Sequence, residues 1–146
     1  MLKFISIVAA LLMVIAIVCL VYGRALFAPS PFVIAAQVLA AVLMVWARVT
    51  FRRRSFHAAA NPTEGGLVTT GPYRFMRHPI YTAVCIFCWA GTLGNLSVFS
   101  VVCSILLFMG ALVRMLSEER LVVQRYPEYS AYAARTKRMF PHIFCF

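Results

Sequence analysis

Phe4-Ile5-Ser6-Ile7-Val8-Ala9-Ala10-Leu11-Leu12-Met13-Val14-Ile15-Ala16-Ile17-Val18-Cys19-Leu20-Val21-Tyr22 carries no charged residue from end to end. A run of this length and polarity fits the roughly 20 residues that an α-helix needs to traverse the hydrocarbon core of a bilayer. It exceeds the roughly 7–15 residues of a signal-peptide core, and no small-x-small cleavage pattern follows it, so it is expected to be retained as a span. Three further apolar segments, Phe32 to Ala47, Tyr81 to Leu93 and Leu96 to Val113, repeat the pattern. The second extends to Phe51 if Arg48 snorkels its guanidinium to the interface. The third is short, and is expected to tilt, to begin before Tyr81, or to form a hairpin with the fourth through Gly94-Asn95. Gly91 and Gly110 mark points where two helices can approach closely.

Composition agrees. The chain has 146 residues, of which 63% are hydrophobic and 12% charged. Soluble domains carry about 25% charged residues, so a water-soluble globule is excluded. The expected fold is an all-α integral membrane protein with about four transmembrane helices and a helical cytoplasmic C-terminal tail. The tail reads as helix from Glu118 to Arg138, interrupted near Pro127. The formal charge of +10 comes from residues beside apolar runs, such as Arg52-Arg53-Arg54. Anionic lipid headgroups, not nucleic acid, are therefore the expected partners of these cations.

Charge also orients the chain. Arg24 stands alone between the first two segments, whereas Arg48, Arg52, Arg53, Arg54, Arg74 and Arg77 lie between the second and third, and more basic residues follow Val113. Four crossings place the N-terminus, the 48–80 region and the C-terminal tail together on the cytoplasmic side, the inner membrane in a prokaryote. The five cysteines sit mostly in apolar segments and read as reduced, packed thiols. Cys85 and Cys88 form a CxxC without the charged or histidine neighbours that would activate it or complete a metal site.

Only four residues are acidic, yet Glu118 and Glu119 are adjacent at the end of the fourth apolar run. A helix C-terminus favours cations, so two anions there call for a purpose other than capping. Arg114 and Glu118 are one turn apart and project from one face. Far away in sequence, Gly71-Pro72-Tyr73-Arg74-Phe75-Met76-Arg77-His78-Pro79-Ile80-Tyr81 leads into the third run. Proline biases His78 away from helix and is itself tolerated in a first turn, so His78 is expected at the helix start with its ring facing a cleft. Tyr126, Tyr129 and Tyr132 recur at threefold spacing, as packing or headgroup-contacting residues.

The set Leu67-Val68-Thr69-Thr70-Gly71-Pro72-Tyr73, Arg77-His78-Pro79-Ile80-Tyr81, Arg114, Glu118-Glu119, Tyr126, Glu128-Tyr129, Tyr132 and Pro141 resembles the isoprenylcysteine carboxyl methyltransferase family. Phospholipid methyltransferases are more distantly similar. The resemblance covers roughly residues 65 to 144, and divides the chain into an N-terminal helix pair with its basic segment, 1–60, and a methyltransferase-like core, 61–146, within one membrane domain. It implies S-adenosylmethionine as cofactor, lined by Gly65, Gly66, Leu67, Val68, Tyr73, His78, Pro79, Ile80, Tyr81 and Glu118. It further implies catalytic roles for Arg114, Glu118 and His78, with Arg114 holding a lipophilic substrate that enters from the bilayer. At Gly65 family members often carry a His, so the chain departs from the pattern there.

The implied acceptor is the α-carboxylate of an isoprenylcysteine, with a phospholipid or small thiol as the alternative. A carboxylate is already ionised at neutral pH and needs no general base. An ethanolamine amine would need one, for which His78 and Glu119 are the candidates. A shared His-Pro-x-Tyr also leaves open an NADPH-dependent sterol-type reductase, and a non-catalytic membrane subunit stands as the plainest alternative. Oligomeric state is not encoded in any of these features.

Overall fold

The computed structural model describes residues 1–51 and 67–140. Two long helices open the chain, α1 (Leu2–Tyr22) and α2 (Pro31–Phe51). After a 3-10 turn at Gly71–Arg74 come α3 (Pro79–Gly94), α4 (Val98–Arg125) and the short α5 (Tyr129–Arg135). The helices α1, α2 and α4 are each long and apolar enough to cross a membrane, and α3 is a shorter apolar helix. At 16 residues α3 is about 24 Å long, below the roughly 30 Å of a hydrocarbon core. The expected all-α membrane fold is what is found.

Where the boundaries differ, the cause is local. The third apolar run begins at Pro79, whose fixed φ suits a first helical position, and it ends in the expected hairpin at Gly94-Asn95. Ser97 starts α4 with a reciprocal capping box to Ser100, satisfying amides that would otherwise be orphaned at that end. The largest correction concerns α4, which runs on through Leu121, Val122 and Val123 to Arg125. Glu118 and Glu119 therefore lie inside the helix and not at its end. The break before Pro127 is as expected, but helix stops at Arg135 and Lys137 pairs in a parallel bridge with Met76.

Packing follows the small residues. The buried face of α1, Ser6, Ala9, Met13, Ala16 and Leu20, has the alternating three-and-four spacing of one helical stripe. It lies against the stripe of α4 formed by Cys103, Leu107, Gly110, Ala111 and Met115. In parallel, α2 packs on α3, and α3 and α4 join the two pairs. Both glycines read from the sequence act as close contacts. A Cβ on Gly110 would sit 2.8 Å from Met13 Cγ and 3.0 Å from the Ala9 carbonyl oxygen, and one on Gly91 would collide with the Leu26 carbonyl.

Polar side chains fasten this bundle where water is scarce. Thr92 and Ser104 share a hydrogen bond of 2.6 Å between α3 and α4, and Gln37 Nε2 donates to the Leu26 carbonyl at 2.7 Å. Such contacts are among the attractions that hold helices together where the surroundings are as apolar as the side chains. The outer faces of α1 and α2 present Phe4, Leu11, Ile15, Leu39, Val42 and Val49 outward, as a lipid solvent requires. Cys85, Cys88 and Cys103 are buried free thiols, in keeping with packing roles.

The Gly110 contact generates a direct test. Gly110→Val should overpack the α1–α4 seam and lower stability by about 1–3 kcal/mol, read as an earlier thermal unfolding transition in detergent. A transition at the wild-type temperature would mean the helices are not held at this spacing.

Candidate active site

The site begins where the chain turns into α3. Gly71, with φ at 58°, sits against Thr50 at the end of α2, and only a glycine adopts that angle without strain. The turn places Tyr73 against Phe51, ring centroids 5.3 Å apart. Beyond it, the backbone amides of Arg77 and His78 donate to the carbonyls of Lys137 and Arg138 at 2.7 and 2.9 Å. Thr82 Oγ1 donates to the Met139 carbonyl at 3.2 Å. The C-terminal segment is thereby laid beside the start of α3. His78 occupies the N-cap position without capping the helix through its side chain, so the ring is released toward α4.

Two neighbouring glutamates receive this loop from different sides, because successive residues on a helix point about 100° apart. Glu119 is gripped by Arg77 Nε at 2.9 Å, Arg138 Nε at 3.0 Å and His78 Nε2 at 3.1 Å. Arg77 also donates through Nη1 to the carbonyls of Ala133 and Thr136. Glu118 accepts a 2.6 Å hydrogen bond from the Tyr81 hydroxyl, and Arg114 Nε lies 3.2 Å from the same oxygen. Arg114 Nε also donates to the Tyr81 hydroxyl, while its Nη1 reaches the Ser6 carbonyl at 3.4 Å. His78 Nδ1 stands 3.9 Å from Glu118 Oε2, beyond hydrogen-bond reach.

His78, Tyr81, Arg114 and Glu118 are thus brought together, the last two as their spacing suggested and the first two as the resemblance implied. Pro79 and Ile80 form the first turn beside them. Tyr73 lies at the margin, and Leu67 and Val68 are half-buried in irregular chain ahead of the 3-10 turn. Gly65 and Gly66 fall outside the described residues. The glutamates divide their work by exposure: the Glu118 side chain is 26% exposed and Glu119 only 11%. Glu119, committed to two guanidinium groups, is a fastening and a poor proton acceptor. Sequence reading missed Arg138 and Ser6, whose only signal is contact across 19 and 108 positions.

The tyrosine stripe resolves into packing for two of its members. Tyr129 is buried, its ring edge-on to Tyr132 at 5.8 Å, and Tyr132 donates its hydroxyl to the Tyr73 carbonyl at 2.6 Å. Tyr126 lies instead under the Arg125 guanidinium. Burial pushes the Tyr132 phenol from an ordinary 10.0 up to about 12. Among the described residues no three His, Cys, Asp or Glu side chains are grouped as a metal ion would require.

Residues 50–129, more than half the chain, match the phospholipid methyltransferase family. The chain belongs to that family. This is the superfamily in which phospholipid and isoprenylcysteine methyltransferases meet, so the family match reaches the shared level and not one substrate class. Phospholipid methyltransferase membership covers both the loop into α3 and the glutamates of α4. Two curated relatives share part of it. The nickel-cobalt-cadmium resistance protein NccN of Alcaligenes xylosoxydans xylosoxydans is 39% identical over 83 residues, 55% of this chain and 38% of its own length. The cobalt-zinc-cadmium resistance protein CzcN of Cupriavidus metallidurans is 35% identical over 80 residues, 53% of this chain and 36% of its own. The matched part thus amounts to less than two-fifths of either relative. No solved structure matches the chain significantly.

Two outcomes follow from the geometry. Glu119→Gln leaves buried guanidinium groups without their counter-charge and should cost about 3 kcal/mol, together with faster hydrogen exchange at the Arg77 and His78 amides. Unchanged exchange would show that the carboxylate does not fasten the loop. Because the Tyr132 value is raised in the folded state, its contribution is intact below pH 10 and is lost as pH climbs toward about 12. The difference in phenolate absorbance between wild type and Tyr132→Phe should therefore rise only in that upper window, and ionisation of the folded protein near pH 10 would contradict it.

Proposed function

We infer that the protein is an integral-membrane, S-adenosylmethionine-dependent methyltransferase acting on a lipophilic acceptor, with an isoprenylcysteine α-carboxylate as the favoured acceptor class. The observation that carries this reading is the convergence of His78, Tyr81, Arg114 and Glu118, from two helices distant in sequence, at one end of the bundle. The donor set suits the cofactor. Glu118 keeps an oxygen, Oε2, that His78 does not hydrogen-bond, and it can accept from an ammonium or a hydroxyl. The first turn of α3 offers backbone amides at Ile80 and Tyr81 for an anionic group.

S-adenosylmethionine, when bound, supplies a methyl group made electrophilic by its sulfonium. The chain's own part is placement, because a displacement of this kind asks for little covalent work from the protein. Glu118 offsets cationic charge, and Tyr81 fixes the carboxylate that does so. Arg114 can hold an acceptor carboxylate by two parallel hydrogen bonds. Such a carboxylate has a pKa of about 3.5 and is already an anion, so no base is needed.

A phospholipid amine is the second reading, favoured by the family that residues 50–129 match. It requires proton removal, and His78 is the group so placed, given that Glu119 is occupied. Small thiols remain an acceptor class for the same assay. A nicotinamide-dependent reductase and a non-catalytic membrane subunit both lose ground with the family match. On this reading the chain is multi-pass, with both termini and the site facing the cytoplasm, because Arg48, Arg74, Arg120 and Arg125 gather toward that end.

Incubation with methyl-radiolabelled S-adenosylmethionine and separate farnesyl-cysteine, phosphatidylethanolamine and small-thiol acceptors tests it. Alkali-labile label on farnesyl-cysteine is the expected product, and Glu118→Ala should weaken cofactor binding by about 10- to 100-fold. Label on the phospholipid instead would establish the second reading. Cofactor binding no better than that of an unrelated membrane protein would sink both.

A further inference from the structure

Ser6 is fully buried on α1, and its hydroxyl is the one buried side-chain polar atom among the described residues with no hydrogen-bond partner. Its position is not incidental. The antiparallel seam that brings Gly110 against Ala9 and Met13 sets Ser6 level with Arg114, one turn further along α4. The Ser6 carbonyl already receives Arg114 Nη1, at a long 3.4 Å. The other polar partners of that guanidinium include Glu118 and Tyr81. Ser6 also lies outside residues 50–129, so nothing in the family match assigns it a role.

Those facts pose a problem for the site as a methyltransferase. A cation bound at Glu118 Oε2 would compete for the charge that Arg114 and Tyr81 engage at Oε1, and an acceptor anion would compete with Glu118 for the guanidinium. We propose that Ser6 is the positioning residue of Arg114: its hydroxyl accepts a guanidinium N–H when Glu118 is engaged by a ligand, and so aims the remaining N–H groups at an oxyanion on a lipid-borne acceptor. The inference rests on the methyltransferase reading above. A buried hydroxyl without a partner is unfavourable, and the loaded arrangement gives it one. The first helix then supplies the third wall of the site, alongside α3 and α4. The oxyanion is either a lipid-borne carboxylate or a phospholipid phosphate, which share the chemistry that a guanidinium recognises.

The test uses the full chain in lipid nanodiscs. Ser6→Ala should fold at least as well as wild type, because it removes an unsatisfied polar atom and introduces a better helix former. Binding of S-adenosylhomocysteine is measured first, then steady-state methylation of N-acetyl-S-farnesyl-cysteine and of phosphatidylethanolamine. The expected result for Ser6→Ala is a KM about tenfold higher for the acceptor that the wild type methylates, as loss of a hydrogen bond to a charged group implies. The thermal unfolding transition does not fall, and kcat and S-adenosylhomocysteine affinity stay within twofold of wild type. Which acceptor shows the KM effect decides between carboxylate and phosphate. Wild-type KM in Ser6→Ala, with cofactor-product binding intact, overturns this inference alone. An unmodified chain that binds neither cofactor nor product overturns the methyltransferase reading and this inference with it.

Discussion

One carboxylate, that of Glu119, ties three pieces of chain together. It sits on α4, and it meets Arg77 and His78 from the approach to α3 and Arg138 from the C-terminal segment. Arg77 extends the same knot to the end of α5 through two carbonyls. An ion pair this well enclosed is costly to desolvate, a cost offset here by two guanidinium groups and an imidazole on one carboxylate and by the Arg77 bonds to two carbonyls. Without it, the irregular chain between the 3-10 turn and α3 would keep its backbone contacts to the C-terminal segment and the Arg77 bonds to the Ala133 and Thr136 carbonyls, but no tie to α4 through Arg77 or His78. The placement of His78 and Tyr81 depends on that fastening.

Against this fixed partner, Glu118 is the variable one. The two residues are adjacent and chemically identical, yet one faces an enclosed cluster of cations and the other a quarter-exposed rim shared with Tyr81 and Arg114. Local environment, not residue type, makes one a strut and leaves the other at a partly open rim. The same contrast appears among the tyrosines. Tyr129 and Tyr132 support the loop from beneath, whereas Tyr81 stands in the hydrogen-bonded chain that joins Arg114 to Glu118.

The helices were legible because uninterrupted apolar runs and a proline at a first turn each have a local cause. The pairing of Arg114 with Glu118 was legible for the same reason, being a matter of one turn. The meeting of His78 and Tyr81 with those two residues came from resemblance and was found in the structure. Arg138, Ser6 and the bridge between Met76 and Lys137 were not legible, since each depends on contact between segments with no shared periodicity. The end of α4 was misplaced because the apolar run stops near Val113 while helical hydrogen bonding does not. A change in polarity marks where a membrane ends more reliably than where a helix does.

The shortness of α3 bears on how a lipid would meet the site. Next to α1, α2 and α4, which are long enough to match a full hydrocarbon layer, the 16-residue α3 matches only about 24 Å. A hydrophobic helix shorter than the hydrocarbon layer is accommodated by local thinning, by snorkelling of flanking side chains or by association with other helices. Such thinning would set the start of α3, with His78 and Tyr81, in a dimple of the membrane surface. An amphiphile lying in the leaflet could bring its head to that depth by lateral diffusion while its tail stays among its neighbours.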